Sequence, residues 1–227
     1  RGLGDVYKRQ PTKPMDIFGD NWKNHREKII ESWTSTIQPE DTVIMAGDLS
    51  WATHLPDALN DLKMLGSLPG QKIIVRGNHD YWWDTVTKMK RMTNNAFEFL
   101  HNNALQVNDI ALAGTRGWIP ETSRKFTEDD QKIVLREEGR MERSLQEAKK
   151  LNCSKIIAVL HYPPFDENRQ PTHMMQLIAS YGVSDVIYGH IHGQQNFHNL
   201  PEELGGVKLH LTSSDYLDFK PLLIQEW

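Results

Sequence analysis

Residues 75–83 read VRGNHDYWW. Ile73, Ile74 and Val75 close a short apolar run, which predicts a buried strand. An arginine and a glycine follow, then an amide, an imidazole and a carboxylate in consecutive positions, then three aromatics. A turn at the strand tip accounts for Gly77, Asn78 and Asp80. It does not call for His79 between them, so the other strand ends have to be compared.

They repeat the theme. The run Thr42–Ala46 is followed by Gly47-Asp48, Lys155–Leu160 by His161, and Val183–Tyr188 by Gly189-His190-Ile191-His192. Further strand-like runs lie at Ile110–Ala113 and Val207–Thr212. Helical patterns fall between them, from about Trp22 to Ile37, Pro56 to Leu65, Glu128 to Leu151 and Thr172 to Tyr181. This alternation predicts an α/β fold, with the late Val207 and Leu222 runs adding antiparallel strands. Open α/β sheets bind ligands beyond the carboxyl ends of their strands. Four strands that each deliver a metal-capable side chain there predict one shared polar site.

The chain has 227 residues, 38% hydrophobic and 25% charged, with a formal charge of −4. These values fit an ordinary globular protein. The acidic balance and the lack of a Lys/Arg stripe argue against nucleic acid as a partner, and so against a nuclease. No apolar run approaches the roughly eighteen residues of a membrane span. Cys153 is the single cysteine, which excludes an internal disulfide and fits a reducing, cytoplasmic setting.

The candidate site residues have complementary chemistry. His190 and His192 are two apart, so an extended backbone turns both rings to one face; by itself such a pair fits polar loop histidines equally well. Asp48 supplies a carboxylate able to bridge two cations, Asn78 a carbonyl oxygen and His161 a further nitrogen. A nitrogen and oxygen set without thiolate suits Mn, Fe, Zn or Co and argues against a closed structural zinc site. Two such ions clamp the attacking and leaving oxygens of a displacement at phosphorus. His79 fits the protonation of a leaving oxygen, with Asp80 to orient it and keep it cationic; the structural alternative for this pair is a capped turn.

Weaker signals lie nearby. Arg116, between loop glycines, reads either as a phosphate clamp or as a surface arginine. Tyr81, Trp82 and Trp83 read as a substrate wall or as core under a helix start. Trp51 and Trp118 either line the cleft or pack. His25, His54, His101, His173, His198 and His210 default to surface or structural positions.

Gly47-Asp48, Gly77-Asn78-His79-Asp80, His161 and Gly189-His190-Ile191-His192, in that order, resemble the calcineurin-like metallophosphoesterase superfamily. The Gly-Asp-Leu-Ser-Trp and Gly-Thr-Arg-Gly-Trp phrases resemble a little-characterised bacterial branch of it. The resemblance implies two mixed β-sheets packed as a sandwich and flanked by helices, with two divalent metal ions at the sheet edge. It implies that Asp48 bridges them, that Asn78, His161 and His190 complete the second site, and that His192 goes to the first. It further implies hydrolysis of a small-molecule phosphate ester by a metal-activated hydroxide, with His79 as catalytic residue and Asp80 as its partner.

Two departures stand out. Where the family often writes Gly-Asp-x-x-Asp, this chain has Trp51. The family also opens on a strand ending in Asp-x-His, which gives two ligands to the first metal, and this chain lacks it. Asp5-Val6-Tyr7 offers a carboxylate but no imidazole. Residues Asp5–Gln10 match the translated end of a transposon adapter used in library preparation. The expectation is therefore a non-native leader at 1–10, a single domain over 11–227, and an incomplete first metal site. The alternative reading is a metal-poor, catalytically impaired fragment, or a non-catalytic protein-binding scaffold of the same fold.

Overall fold

Short β-branched runs and longer amphipathic stretches alternate along this chain, and most form the element their pattern favours. The computed structural model describes residues 20–226. The expected leader at 1–10 lies outside the described residues.

A 3₁₀ turn at Asp20–Trp22 precedes α1 (His25–Thr36), β1 (Thr42–Met45), α2 (Leu55–Ser67) and β2 (Gln71–Ile74). Then come α3 (Val86–Met92), β3 (Glu98–Phe99), β4 (Ala104–Val107) and β5 (Ile110–Thr115). The second half holds α4 (Glu128–Lys150), β6 (Lys155–Leu160), α5 (His173–Ser180), β7 (Asp185–Tyr188), β8 (Glu203–Leu204) and β9 (Val207–Leu211). The first helical pattern does not run unbroken from Trp22. Asn24 takes a left-handed conformation, φ 54°, between the 3₁₀ turn and α1, a conformation that asparagine tolerates better than most residues.

Two sheets result. One has the order β1-β2-β3, all parallel, and the other β4-β5-β6-β7-β9-β8. In the larger sheet β5, β6, β7 and β9 run parallel, with β4 and β8 antiparallel at its edges. The expectation of late antiparallel strands holds for the β8–β9 pair only. β9 lies parallel to β7, and the Leu222 stretch forms no strand.

Strand alternation sorts the side chains into layers. Ile73, Val75 and Leu100 from the small sheet meet Leu112, Ile157, Val159 and Ile187 from the large one, so the two sheets face each other. Ile74 and Phe99 point the other way, onto Trp33, Leu62, Leu65 and Met89 of the first three helices. Ala111, Ala158 and Val186 likewise back onto Met141, Leu145 and Ile178 of α4 and α5. This is a helix–sheet–sheet–helix sandwich. Each fully buried Leu or Ile contributes about 1.5–3 kcal/mol of burial, which makes the strands a rigid base for the loops at their ends.

Candidate metal centre and active site

The parallel strands β1, β2, β6, β7 and β9 all point their carboxyl ends at one edge, and the polar loops begin there. Gly47 follows β1 and Gly77 follows β2, and the two backbones touch. A Cβ on Gly47 would come within 2.5 Å of the Gly77 nitrogen. A Cβ on Gly77 would overlap the Asp48 carboxylate. Gly47 also sits at φ 94°, where only glycine is comfortable. Two glycines thus let the Asp48 and Asn78 loops close on each other. Asp48 (φ 59°) and His190 (φ 69°) occupy the left-handed region themselves, the kind of local strain that concentrates at functional sites.

His161 lies buried at the centre. Its Nδ1 donates to the Ala46 carbonyl at 2.7 Å, which leaves Nε2 as a bare lone pair if the ring is neutral. Burial holds this imidazole below its usual range, against the opposing pull of Asp48 and the Ala46 carbonyl. The lone pair faces Asn78 Oδ1 at 2.7 Å. His190 Nδ1 stands 3.1 Å from the same oxygen and 3.2 Å from His161 Nε2. Asp48 Oδ2 is 3.5 Å from His161 Nε2. It is buried and receives no hydrogen bond, whereas Oδ1 accepts the His79 backbone N–H at 2.7 Å.

With His161 in this tautomer, Nε2 and Asn78 Oδ1 face each other as two acceptors, and a cation between them would reconcile them. Among the described residues no three His, Cys, Asp or Glu side chains form a group able to hold an ion by themselves; the amide oxygen of Asn78 would have to complete such a set. A mixed imidazole, amide and carboxylate set fits a borderline divalent ion.

His192 does not join that cluster. Its Nδ1 pairs with Asp215 Oδ1 at 2.7 Å, and Asp215 Oδ2 takes the Gly193 N–H at 2.8 Å. His192 Nε2 is left buried and unpartnered. A carboxylate that fixes one ring nitrogen while the other is bare is how metal-ligating histidines are oriented. The ring also packs against Trp22, with centroids 6.0 Å apart. The two histidines of the His-x-His pair therefore serve different groups of neighbours. Asp215, beyond β9, went unnoticed in the sequence. The signal for it was a carboxylate just past a strand end at the same edge.

His79 lines the shared cleft of about 990 Å³, together with Asp48, His190, His192 and Asp215. Its ring stacks on Trp51 at 4.3 Å and 17°, with Tyr81 edge-on at 6.1 Å. Asp80 is placed differently from expectation. It is fully buried, and its oxygens accept N–H groups from Asp48, Leu49, Ser50 and Gly77 and the Trp82 indole, at 2.8–3.3 Å. Burial and the nearby Asp48 charge push this carboxyl up to about 6, and the backbone donors oppose them. These hydrogen bonds position the loop that carries His79, and none of them is made to the imidazole.

Arg116, its side chain 15% exposed, is not the surface arginine of one of its two sequence readings. It is absent from the walls of that cleft. Its guanidinium lies over the Trp118 ring at 4.3 Å and 3.5 Å from Glu137. Trp82 is core, while Tyr81 is 54% exposed and Trp83 is half-buried. Trp118 packs, its indole donating to Asp130 at 2.8 Å. His25, His173 and His210 contact Trp22, Glu138 and Asp185 away from the cluster. His54 and His198 are exposed.

In comparisons with known proteins, the family described as calcineurin-like phosphoesterase matches residues 3–194. The solved structure of TT1561 from Thermus thermophilus is similar over 84% of each chain, with 16% identity and a TM-score of 0.59. A protein of unknown function from Aquifex aeolicus, AQ665, aligns over 96% of this chain and 91% of its own, with 16% identity and a TM-score of 0.41. No curated protein matches the chain.

Proposed function

We propose that this chain, which belongs to the calcineurin-like phosphoesterase family, hydrolyses a small phosphate ester in the cleft at the strand ends. Asn78, His161 and His190 would hold one divalent ion, Asp48 would bridge to a second, and His192 would hold that second ion. The observation that carries the reading is the convergence of Asn78 Oδ1, His161 Nε2 and His190 Nδ1 beside the unpartnered Asp48 Oδ2. Bound there, manganese, iron, zinc or cobalt ions would supply Lewis-acid and water-activating chemistry.

The chain's own groups do the rest. Asp48 divides its labour, with Oδ1 fixing the His79 backbone and Oδ2 directed to a cation. Asp215 holds the His192 ring in one tautomer. The stacked Trp51 ring orients His79 so that it can deliver a proton to the departing oxygen. Lys125 and Arg169 on the cleft wall draw in an anionic ester. Among the described residues no helix is long and apolar enough to cross a membrane; a cytoplasmic setting, from the lone Cys153, belongs to the proposal.

The test is manganese-dependent hydrolysis of p-nitrophenyl phosphate and its bis ester. His79→Ala should lower kcat by about 10²–10⁴ while manganese binding persists. A chain whose residues 1–10 are replaced by a strand ending in Asp-x-His should be more active still if those residues are a non-native leader. Folded, manganese-loaded protein of both kinds with no hydrolysis of either ester would reject the reading.

A further inference from the structure

Beside the cluster, at the ends of β2 and β5, sit two arginines short of acceptors. Among the described residues no hydrogen bond or ion pair reaches the half-buried Arg76 guanidinium, and its Nε is buried. Arg116, its side chain only 15% exposed, likewise has a buried Nε without a partner.

Two carboxylates bear on the pair, and both are occupied. Asp80 attracts Arg76, but its oxygens are taken by the backbone and indole donors described above. Glu137 is 1% exposed; its Oε1 accepts Arg140 Nη1 at 2.6 Å and its Oε2 accepts the Thr115 hydroxyl. Arg116 Nη2 stands 3.5 Å from that occupied Oε1, too far for a good hydrogen bond. Trp83 adds a third buried donor, Nε1, with its ring 5.9 Å from His101. His101 registers the imbalance. Burial first, then the charges of Arg140, Arg76 and Arg116 against Glu137 alone, hold its imidazole below the usual range.

For Arg76, Arg116 and Trp83 every missing partner is thus an acceptor. Buried charge without compensation is costly, and an arginine fork is shaped for oxyanions. The position is also specific. Arg76 directly precedes Gly77-Asn78, and the Arg116 carbonyl accepts the backbone N–H groups of His161 and Tyr162 at 3.1 and 3.0 Å.

We infer that Arg76 and Arg116, which lie outside the walls of the cleft described above, form an oxyanion subsite beside the candidate metal centre, which receives a second anionic group, a phosphate or carboxylate, from a substrate long enough to extend past that cleft. The subsite itself stands on the arginine geometry; only its assignment to substrate rests on the phosphoesterase reading.

The test uses the full chain freed of metal by chelation, titrated with sulfate. The Nε–H resonances of Arg76 and Arg116 should shift saturably, and Arg76→Gln or Arg116→Gln should weaken binding by about tenfold or more. His190→Ala should leave it unchanged. Should a Gln variant not fold, Arg76→Lys and Arg116→Lys keep the charge and still remove the fork. No saturable shift, or binding that survives all four arginine substitutions, overturns the subsite. A kinetic arm then compares an ester bearing a second anionic group with p-nitrophenyl phosphate. The manganese-loaded chain should show a higher kcat/KM for the former, and Arg116→Gln should cancel that preference. Sulfate binding without any such preference overturns the assignment to substrate, in favour of a free oxyanion. Absence of all hydrolysis rejects the phosphoesterase reading and leaves the sulfate result standing.

Discussion

Asp80 Oδ2 accepts the backbone N–H of Asp48 at 2.8 Å and that of Gly77 at the same distance. One buried carboxylate therefore ties the loop after β1 to the loop after β2, and those two loops carry Asp48, Asn78 and His79. The geometry of the candidate site depends on this clip as much as on the groups that face the cleft.

Asp80→Asn should therefore destabilise the fold. An amide turns an N–H₂ group toward donors already aimed at the carboxylate, and a buried donor left unsatisfied costs about 1–3 kcal/mol. Urea denaturation followed by circular dichroism should show a loss of that size or more. A midpoint equal to that of the parent would mean the clip contributes nothing.

Asp215→Ala should act on metal rather than on folding. Asp215 sets the His192 tautomer through the 2.7 Å contact, and removal of such a partner typically costs about 10–100-fold in metal affinity. Competition with a metal indicator measures this directly. The role fails if affinity is unchanged.

Trp51 is expected to tune catalysis. Its stack on His79 is an aromatic contact worth about 0.5–1.5 kcal/mol. Trp51→Ala should lower kcat by up to about tenfold with little change in KM, and Trp51→Phe should restore most of it. A change in KM alone would instead place Trp51 in substrate binding.

Asp61 gives stability a pH dependence. Burial raises its carboxyl from 3.8 to about 6, against the Ser50 hydroxyl bond and the Arg26 charge. Below pH 3.8 the group is neutral in both folded and unfolded chains, so nothing is lost. Between 3.8 and about 6 the unfolded chain releases a proton that the folded one keeps. The stability associated with this group therefore falls as pH rises through that window and levels off above it, by at most roughly 3 kcal/mol. Asp61→Asn should flatten this part of the curve. An unchanged slope between pH 4 and 6 would assign it to other groups.

Much of this was legible in the sequence. The β6 run at Lys155–Leu160 is strongly β-branched and bounded, and its edges fall where the pattern puts them. The strand-end motifs were equally clear, because parallel strands send consecutive C-terminal loops to one edge. What failed depended on contacts distant in the chain. Asp80 adjoins His79 in sequence, which suggested a pair, yet three of its five donors come from residues 48–50, some thirty positions earlier. Asp215 meets His192 across 23 positions, and its place just past a strand end does not say which residue it meets. Arg116 showed its charge but not Glu137 on α4. The β3 strand has only two residues, and α3 is a seven-residue helix without a side-chain cap; both are too short for a periodic signal.

The most direct test of the central claim is a manganese titration of the full chain, following free ion by electron paramagnetic resonance. The account predicts saturable binding that Asn78→Ala and His190→Ala each weaken by at least about tenfold, with folding retained by circular dichroism. Saturable binding untouched by both substitutions, or none at all in the folded parent chain, would contradict it.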